Sequence, residues 1–416
     1  MTKTLFKDSV RTIKKSIVIY ISIIFFAMLC VAIYTSLEWT TESIPKSLHE
    51  TMENANLYDI RMLYDRGLSE TDLQKISEID DVDEIVGSRL GYGMFIHNDN
   101  QYIQARIIEI NDSLNVPQNI EGKLPEASNE VAVCKKWADD NGVKIGETLS
   151  FLSDNTGFDT LKDKELTVTA FMDTVEYNEL NVPGYGVSEQ NHLAVGCILY
   201  VSEEAFNPVL YNGNNLIWIK SDKLRDFSTF SDQYNKEKEN IKNNITEALA
   251  GTELSGFTIT DRTYLPTSVV PTNLTVSLGN VKSILVSVFL IIGLLICYSS
   301  IIRMVSDQAY LIGTKIAMGI RPGAIRLQYC LYTESAIVIG CFLGGFLGRI
   351  IADILLTVCS KNYAIPFVFK IDYAPLIMIC ALEIILALLV TLLGVNSVFK
   401  KRIVDLLSGG AAITAK

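Results

Sequence analysis

A chain that catalyses needs a nucleophile with its base, a metal set or a phosphate cradle, and this one offers the residues for none of them. Its three histidines, His49, His97 and His192, have no Cys or carboxylate at metal-ligand spacing, so no zinc-type site is indicated. No glycine-rich loop ends in Lys followed by Ser or Thr, so the chain cannot itself hold the phosphates of a nucleotide. What remains are four ionisable residues set among apolar ones: Glu334, Arg349, Asp353 and Glu383. Charge in lipid is costly unless paired or hydrated, which makes each a functional candidate. Arg349 and Glu383 lie about 15 and 14 Å from the outer ends of their helices by the helical rise, so they are expected to pair at one depth. A structural pair fixing helix register, or an Arg349–Asp353 contact one turn apart, is weighed above a substrate pathway because nothing else polar lines up beside them.

These residues lie on long apolar stretches. Of 416 residues, 49% are hydrophobic and only 20% charged, which excludes a single soluble domain. A net charge of -11 argues against a nucleic-acid partner. Four stretches meet the roughly 20 residues a bilayer requires: 16–37, 283–302, 331–359 and 374–398. The first follows a basic segment, yet its core is too long for a signal peptide and no small-residue cleavage pattern follows it, so it reads as a retained span. Residues 1–15 place Leu5, Phe6, Val10 and Ile13 near helical spacing, as expected of an amphipathic helix on the inner leaflet. The alternative is a disordered basic tail.

Orientation follows from charge. Segments 1–15, 303–326 and 400–416 hold 13 Lys/Arg against 3 acids, while 38–282 holds 20 against 40. Basic residues accumulate inside, so both termini, the loop 303–330 and the tail 399–416 are expected in the cytoplasm. The 38–282 domain and the short 360–373 loop are expected outside the plasma membrane. Six of the eight cysteines fall in or at the ends of spans. Only Cys134 and Cys197 lie outside, and separate buried thiols are favoured over one bridge.

The outer segment reads as mixed α and β. Tyr58, Ile60, Met62 and Tyr64 alternate with Asp59, Arg61 and Leu63 as in a strand with one buried face. Arg66-Gly67 reads as a turn, and Ser69 with Asp72 as a capping-box start for a helix carrying Leu73, Ile76 and Ile79. A strand at 82–86 closes the unit. A second such unit runs from Leu216–Lys220 through a helical stripe of Phe227, Phe230, Tyr234, Ile241, Ile245 and Ala248 to Phe257–Thr260, and the two are expected to share one layered domain. Residues 111–190 are rich in Asn, Asp, Gly and Pro, which suits turns and short strands. In the third span Gly340, Gly344 and Gly348 recur every fourth residue with Gly345 beside them, a face bare enough for another helix to approach closely.

The inner loop is the informative stretch. Arg303 is followed by Ser306-Asp307-Gln308-Ala309-Tyr310-Leu311-Ile312-Gly313-Thr314-Lys315-Ile316-Ala317-Met318-Gly319, then Arg321. This order, with a glycine-rich span after it, resembles the FtsX/MacB-like ABC transporter permease family. Gly122-Lys123-Leu124-Pro125, Asn129-Glu130-Val131 and Val143-Lys144-Ile145-Gly146-Glu147 are similar to the family's outer-domain pattern, and the whole to the first half of long Firmicutes-type members. The long members carry a second set of spans beyond those seen here, so either a half-size permease that must pair or an incomplete product is expected, and Ala309, Tyr310 and Leu311 stand where charge is usual. The Leu407-Ser408-Gly409-Gly410 run resembles an ABC ATPase signature only by coincidence, there being no phosphate loop.

The resemblance implies four transmembrane helices with an α+β, MacB-like extracytoplasmic domain. It implies no enzyme activity and no directly bound cofactor, with ATP acting through a cytoplasmic ABC ATPase subunit. A coupling helix of about Ser306–Arg321 would seat in that partner, Ile312, Ile316 and Met318 packing and Arg303, Lys315 and Arg321 making polar contact. Gln308, Gly313, Ala317 and Gly319 complete the coupling set. Further partners are membrane lipid and a second copy or second permease half. The expected function is mechanotransmitting export or extraction of a peptide, antibiotic or lipid-like ligand. Its rivals are an envelope regulator that switches a wall hydrolase or sensor kinase, and a non-transport membrane receptor.

Overall fold

The computed structural model describes residues 13, 16–97, 101–153, 159–177, 194–225, 227, 231–250, 257–361 and 363–399. In chain order a long helix α1 (Ile17–Asn54) leads into β1 (Ile60–Leu68), α2 (Glu70–Ser77), β2 (Glu84–Ser88), β3 (Leu90–His97) and β4 (Gln101–Glu109). Then come β5 (Gln118–Gly122), β6 (Glu130–Cys134), α3 (Lys135–Asn141), β7 (Thr148–Phe151), β8 (Glu165–Asp173) and β9 (Cys197–Val201). They are followed by β10 (Asn214–Lys220), α4 (Asp222–Arg225), α5 (Asp232–Ala248) and β11 (Phe257–Asp261). The chain ends in α6 (Pro266–Asp307), α7 (Ala309–Ala317), α8 (Pro322–Ser360) and α9 (Ala374–Phe399). The proposed 1–15 helix, apart from Ile13, and the 400–416 tail lie outside the described residues, as does His192. Two units result: residues 1–45, 274–358 and 368–416 form one, and 46–273 with 359–367 the other.

In the first unit α1, α6, α8 and α9 are each long and apolar enough to cross a membrane. This is a membrane protein with an α+β domain of its own. Its helices share a core in which Val31 of α1, Ile301 of α6, Tyr332 of α8 and Val395 of α9 are all buried together. Three of the four helices outrun the apolar stretches seen in sequence: α1 continues to Asn54, α6 begins at Pro266 and α8 at Pro322. Polar residues flank the apolar runs without breaking helix, so hydropathy marks the lipid-facing part and not the helix ends.

The second unit is built on two sheets. β11-β1-β10-β2 form a four-stranded antiparallel sheet. One face sets Ile60, Met62, Ile217 and Ile219 against Leu73, Ile76, Tyr234 and Ile241 of the helices, so the two strand–helix units do share one layer. Ser69 caps α2, accepting from the Asp72 N–H at 3.3 Å. The turn expected at Arg66-Gly67 is absent. β1 runs on to Leu68 with a register shift after Leu63, and Gly67, at φ 72°, lies where a Cβ would meet the Gly213 backbone at 2.9 Å. A glycine inside a strand marks a bulge and a close backbone approach as readily as a turn.

The larger sheet closes on itself. Its order is β5-β8-β6-β9-β4-β3-β7, and β7 returns to pair with β8. Closure into a barrel leaves few free edges to pair with other chains. Its interior is filled by alternating residues such as Ile107, Val133, Leu149, Val168 and Leu199, with Trp137 of α3 inserted. Cys134 and Cys197 are buried, unbridged thiols, and Cys134 Sγ donates to Asp173 Oδ1 at 3.8 Å.

Because the second face of the small sheet is also covered, its polar residues are buried in pairs. Arg61 meets Glu176 at 3.1 Å. Asp59 is fully buried between Arg262, at 3.1 Å, and Arg225, at 3.2 Å. Burial pushes the Asp59 carboxyl up, and the two guanidinium groups act against that shift. Ser221 N–H donates to Asp59 Oδ2 at 2.9 Å. Removing one partner of such a cluster strands the others. Asp59→Ala is therefore expected to destabilise this unit by about 3–5 kcal/mol, followed in denaturant through Trp218, which stacks on Tyr58. A loss under about 1 kcal/mol, the range of a surface pair, would contradict it.

Candidate functional site

The loop between α6 and α8 is short and holds one helix with a defined C-terminal stop. Gln308 stands at the N-cap of α7 without capping it by its side chain; its Oε1 instead accepts from Tyr329 OH at 2.9 Å. At the other end Met318 is the C-cap. Gly319 takes the left-handed conformation (φ 85°), and Ile320 N–H donates back to Lys315 O at 3.0 Å while Gly319 N–H donates to Ile316 O at 2.9 Å. That pair of bonds ends a helix where glycine avoids the Cβ penalty. Pro322 then opens α8, where its missing N–H costs no intrahelical bond. The Ala317-Met318-Gly319 signature is thus a helix stop, and it defines α7 as a separate nine-residue rod.

Which side of α7 faces out differs from the sequence expectation. Ile312 is 2% exposed and packs into the core of the helical unit, with Ile316 against it. Gly313 is buried as well, and Lys315 Nζ donates to Gln328 Oε1 at 3.2 Å. Ile312 and Ile316 therefore hold α7 to the spans instead of greeting a partner, and Lys315 is engaged within the chain. The outward apolar residues are Tyr310 (58% exposed), Leu311 (49%) and Met318 (74%). Arg303, Ala317, Gly319 and Arg321 are exposed beside them. A short helix apolar all round hides which face is inward, and only the register against Gln328 and Tyr329 decides it.

The glycines of α8 meet α1. A Cβ on Gly340 would lie 2.6 Å from Ala27 Cβ and 2.9 Å from Ile24 O, and one on Gly344 would lie 2.7 Å from Met28 O. Gly348 faces Thr35, and Gly345, on the other side, faces Leu376 of α9 at 3.1 Å. The bare face is therefore occupied within the chain, and is not free to receive a second copy.

The four charges do not pair. Among the described residues no ion pair joins Arg349 to Glu383 or to Asp353. α8 overshoots the start of α9 by more than two turns, because Gly345 packs on Leu376; measuring depth from the two helix ends therefore misleads. Arg349 lies near the level where α9 begins, whereas Glu383 is level with Cys341, whose Sγ donates to Glu383 Oε2 at 3.7 Å. Eight residues separate Cys341 from Arg349, about 12 Å of helix. Glu383 also borders a cavity of about 30 Å³ with Cys30 and Cys297, room for about a water or two. Both Glu334 oxygens are shielded without a hydrogen-bond partner. Asp353 is exposed, and Arg349 stacks on the Phe369 ring, 3.4 Å from its centroid. His97, by contrast, is structural: Nε2 lies 3.1 Å from Asn141 O, and the ring packs on Trp137. Among the described residues no cluster of three His, Cys, Asp or Glu side chains is arranged to hold a metal.

Residues 283–403 match the family model described as the FtsX-like permease C-terminal region. Among solved structures the chain is similar to the periplasmic region of MacB from Actinobacillus actinomycetemcomitans: 11% identity, covering 55% of this chain and 97% of that one, with a TM-score of 0.30. It is also similar to the extracellular domain of the noncanonical ABC-type transporter YknZ from Gram-positive bacteria: 12% identity, covering 49% and 99%, with a TM-score of 0.27. No curated protein matches.

Gly344→Leu is expected to separate α1 from α8 and lower the thermal midpoint of the detergent-solubilised chain by several degrees. Gly345→Leu, which meets only the side-chain end of Leu376 and no backbone, should cost less. Equal midpoints for the two variants would remove the asymmetry argued here.

Proposed function

We propose that this FtsX-like permease couples ATP hydrolysis on a separate cytoplasmic ABC ATPase to movement of its sheet-rich unit, and so exports or extracts a peptide, antibiotic or lipid-like ligand. On the charge asymmetry of the chain, the termini and α7 face the cytoplasm and the sheet-rich unit faces outward. The observation that carries the reading is α7 itself. It is a rod with a defined C-terminal stop, seated by Ile312 on the core of the spans, with Tyr310, Leu311 and Met318 turned away from that core. Large apolar groups rimmed by Arg303 and Arg321 are what a protein interface uses as anchors. Because Lys315 and Gln308 tie the rod to α8, a push on it is carried directly into the helices beside it. ATP belongs to the partner in this reading.

Pairing with a second copy or a second permease half is carried by α6. Its membrane window is only 11% buried, the lowest of the four spans. Val281, Ile284, Val288, Ile291 and Leu295 are all exposed on it, at the alternating three- and four-residue spacing of a helix–helix seam.

Leu311→Glu combined with Met318→Glu is expected to abolish stimulation of the co-purified ATPase while leaving membrane insertion and yield unchanged. Ile312→Glu should instead reduce folded protein. Wild-type stimulation in the double variant would remove α7 from the coupling role. For pairing, Val288→Cys in native membranes is expected to give an oxidant-dependent cross-linked species of higher mass, and only monomer would refute the seam.

A further inference from the structure

The groups around Arg349 form a site that the coupling reading does not use. A cleft of about 400 Å³ opens between α1, α8 and the start of α9, lined by Trp39, Phe342, Phe346, Arg349, Tyr373 and Leu376 among others. Its wall is built, not incidental. Trp39 Nε1 donates to Asp372 O at 2.5 Å, and Ser43 Oγ accepts from Lys370 N–H at 3.0 Å, which pins the 370–372 segment to α1. Phe369 packs edge-on against Trp39, ring centroids 6.0 Å apart, and its face carries the Arg349 guanidinium.

Arg349 is held there with a hydrogen-bonding obligation unmet. Its Nη1 is shielded and has no partner. Among the described residues no carboxylate forms an ion pair with it: Asp372 Oδ1 accepts from the Ala374 N–H at 2.9 Å, and Glu38 pairs with Lys282. The ring of Phe369 offsets part of the charge, but a guanidinium beside apolar surface calls for an oxyanion, such as a phosphate, that accepts more than one N–H. Below it the cleft is apolar and open sideways: Phe342 is 79% exposed and Phe346 67%. Trp39 and Tyr373 sit where aromatic residues gather at a membrane–water boundary, at the end of the spans where α9 begins.

We propose that this cleft is a binding site for a glycerophospholipid of the leaflet on the α9-entry side, its phosphate held by Arg349 and an acyl chain lying along Phe346, Phe342 and Leu376. On the topology proposed above that is the outer leaflet. The site goes beyond the coupling function and stands without it. A free phosphate would satisfy Arg349 but not the apolar trough; a neutral diacylglycerol would fill the trough but leave the guanidinium unpaired.

Trp39 supplies the readout because it lines the cleft, whereas Trp137 and Trp218 belong to the cores of the sheet-rich unit. The full chain in dodecyl maltoside is titrated with phosphatidylglycerol brominated on its acyl chains, which quenches a tryptophan in contact with it. Saturable quenching is expected, at least tenfold tighter than with brominated diacylglycerol of the same chains. Inorganic phosphate should not reverse it. Arg349→Gln should reduce the difference between the two lipids to within twofold. Phe346→Ala, which leaves the charge in place on an exposed position, should weaken both lipids alike, and it keeps the test open should Arg349→Gln fail to fold. Equal quenching by the two lipids in the native chain, an unchanged preference in Arg349→Gln, no weakening in Phe346→Ala, or reversal by inorganic phosphate would each overturn the assignment.

Discussion

The arrangement of the spans depends on how closely α8 approaches α1. Lipid tails solvate apolar side chains as well as a neighbouring helix does, so association in a bilayer rests on close packing and not on a drive to escape water. At Gly340 and Gly344 the separation is set by backbone: Ile24 O and Met28 O stand where a side chain would be. That contact fixes depth as well as distance. Ala27 lies against Gly340, Val31 against Gly344 and Thr35 against Gly348, so each turn of one helix meets a turn of the other. Leu376 on Gly345 then sets α9 in the same frame. The levels of Arg349 and Glu383 follow from these contacts.

The same logic explains why α7 is separate from both of its neighbours. For the coupling proposed above, a continuous helix from α6 to α8 would leave no short rod to present, and a flexible loop would transmit no displacement. Gly319 in the left-handed conformation and Pro322 at the head of α8 produce a defined break, while Ile312 and the Gln308–Tyr329 bond keep the rod against the bundle. The Ala317-Met318-Gly319 run is therefore readable as backbone chemistry: a glycine is needed because the chain must leave a helix there with two bonds folded back onto its last turn.

Much of the architecture is legible in the residues because the signals are local. Apolar runs locate the spans, the Ser69–Asp72 spacing locates the start of α2, and the stripe through Tyr234, Ile241 and Ile245 locates the inward face of α5. What is not legible is relational. Gly67 looks like a turn until Gly213 is seen beside it, and the closure of β7 onto β8 pairs segments that no periodicity links. α7 carries apolar residues on every side, so Ile312 and Leu311 cannot be told apart before the bundle is assembled. Arg349 and Glu383 look level only when helix ends are assumed level. The closeness of α8 to α1, by contrast, is announced by the glycine spacing, though the identity of the partner helix is not.

The two units treat charge differently, and the difference bears on function. In the sheet-rich unit buried charge is matched inside the fold: Asp59 by Arg225 and Arg262, Arg61 by Glu176. Such clusters fix strand and helix positions. In the helical unit Glu334 is shielded without a partner, and Arg349 keeps an unmet donor against an aromatic face. Leaving a charge unmatched in lipid is more costly than in a soluble core, since no water is at hand to satisfy it. A sequence that had only to fold would replace these residues by apolar ones at little loss of packing. Glu334 is shielded by the chain itself, whereas Arg349 opens on an apolar trough, and for that residue the surrounding groups describe the partner proposed above.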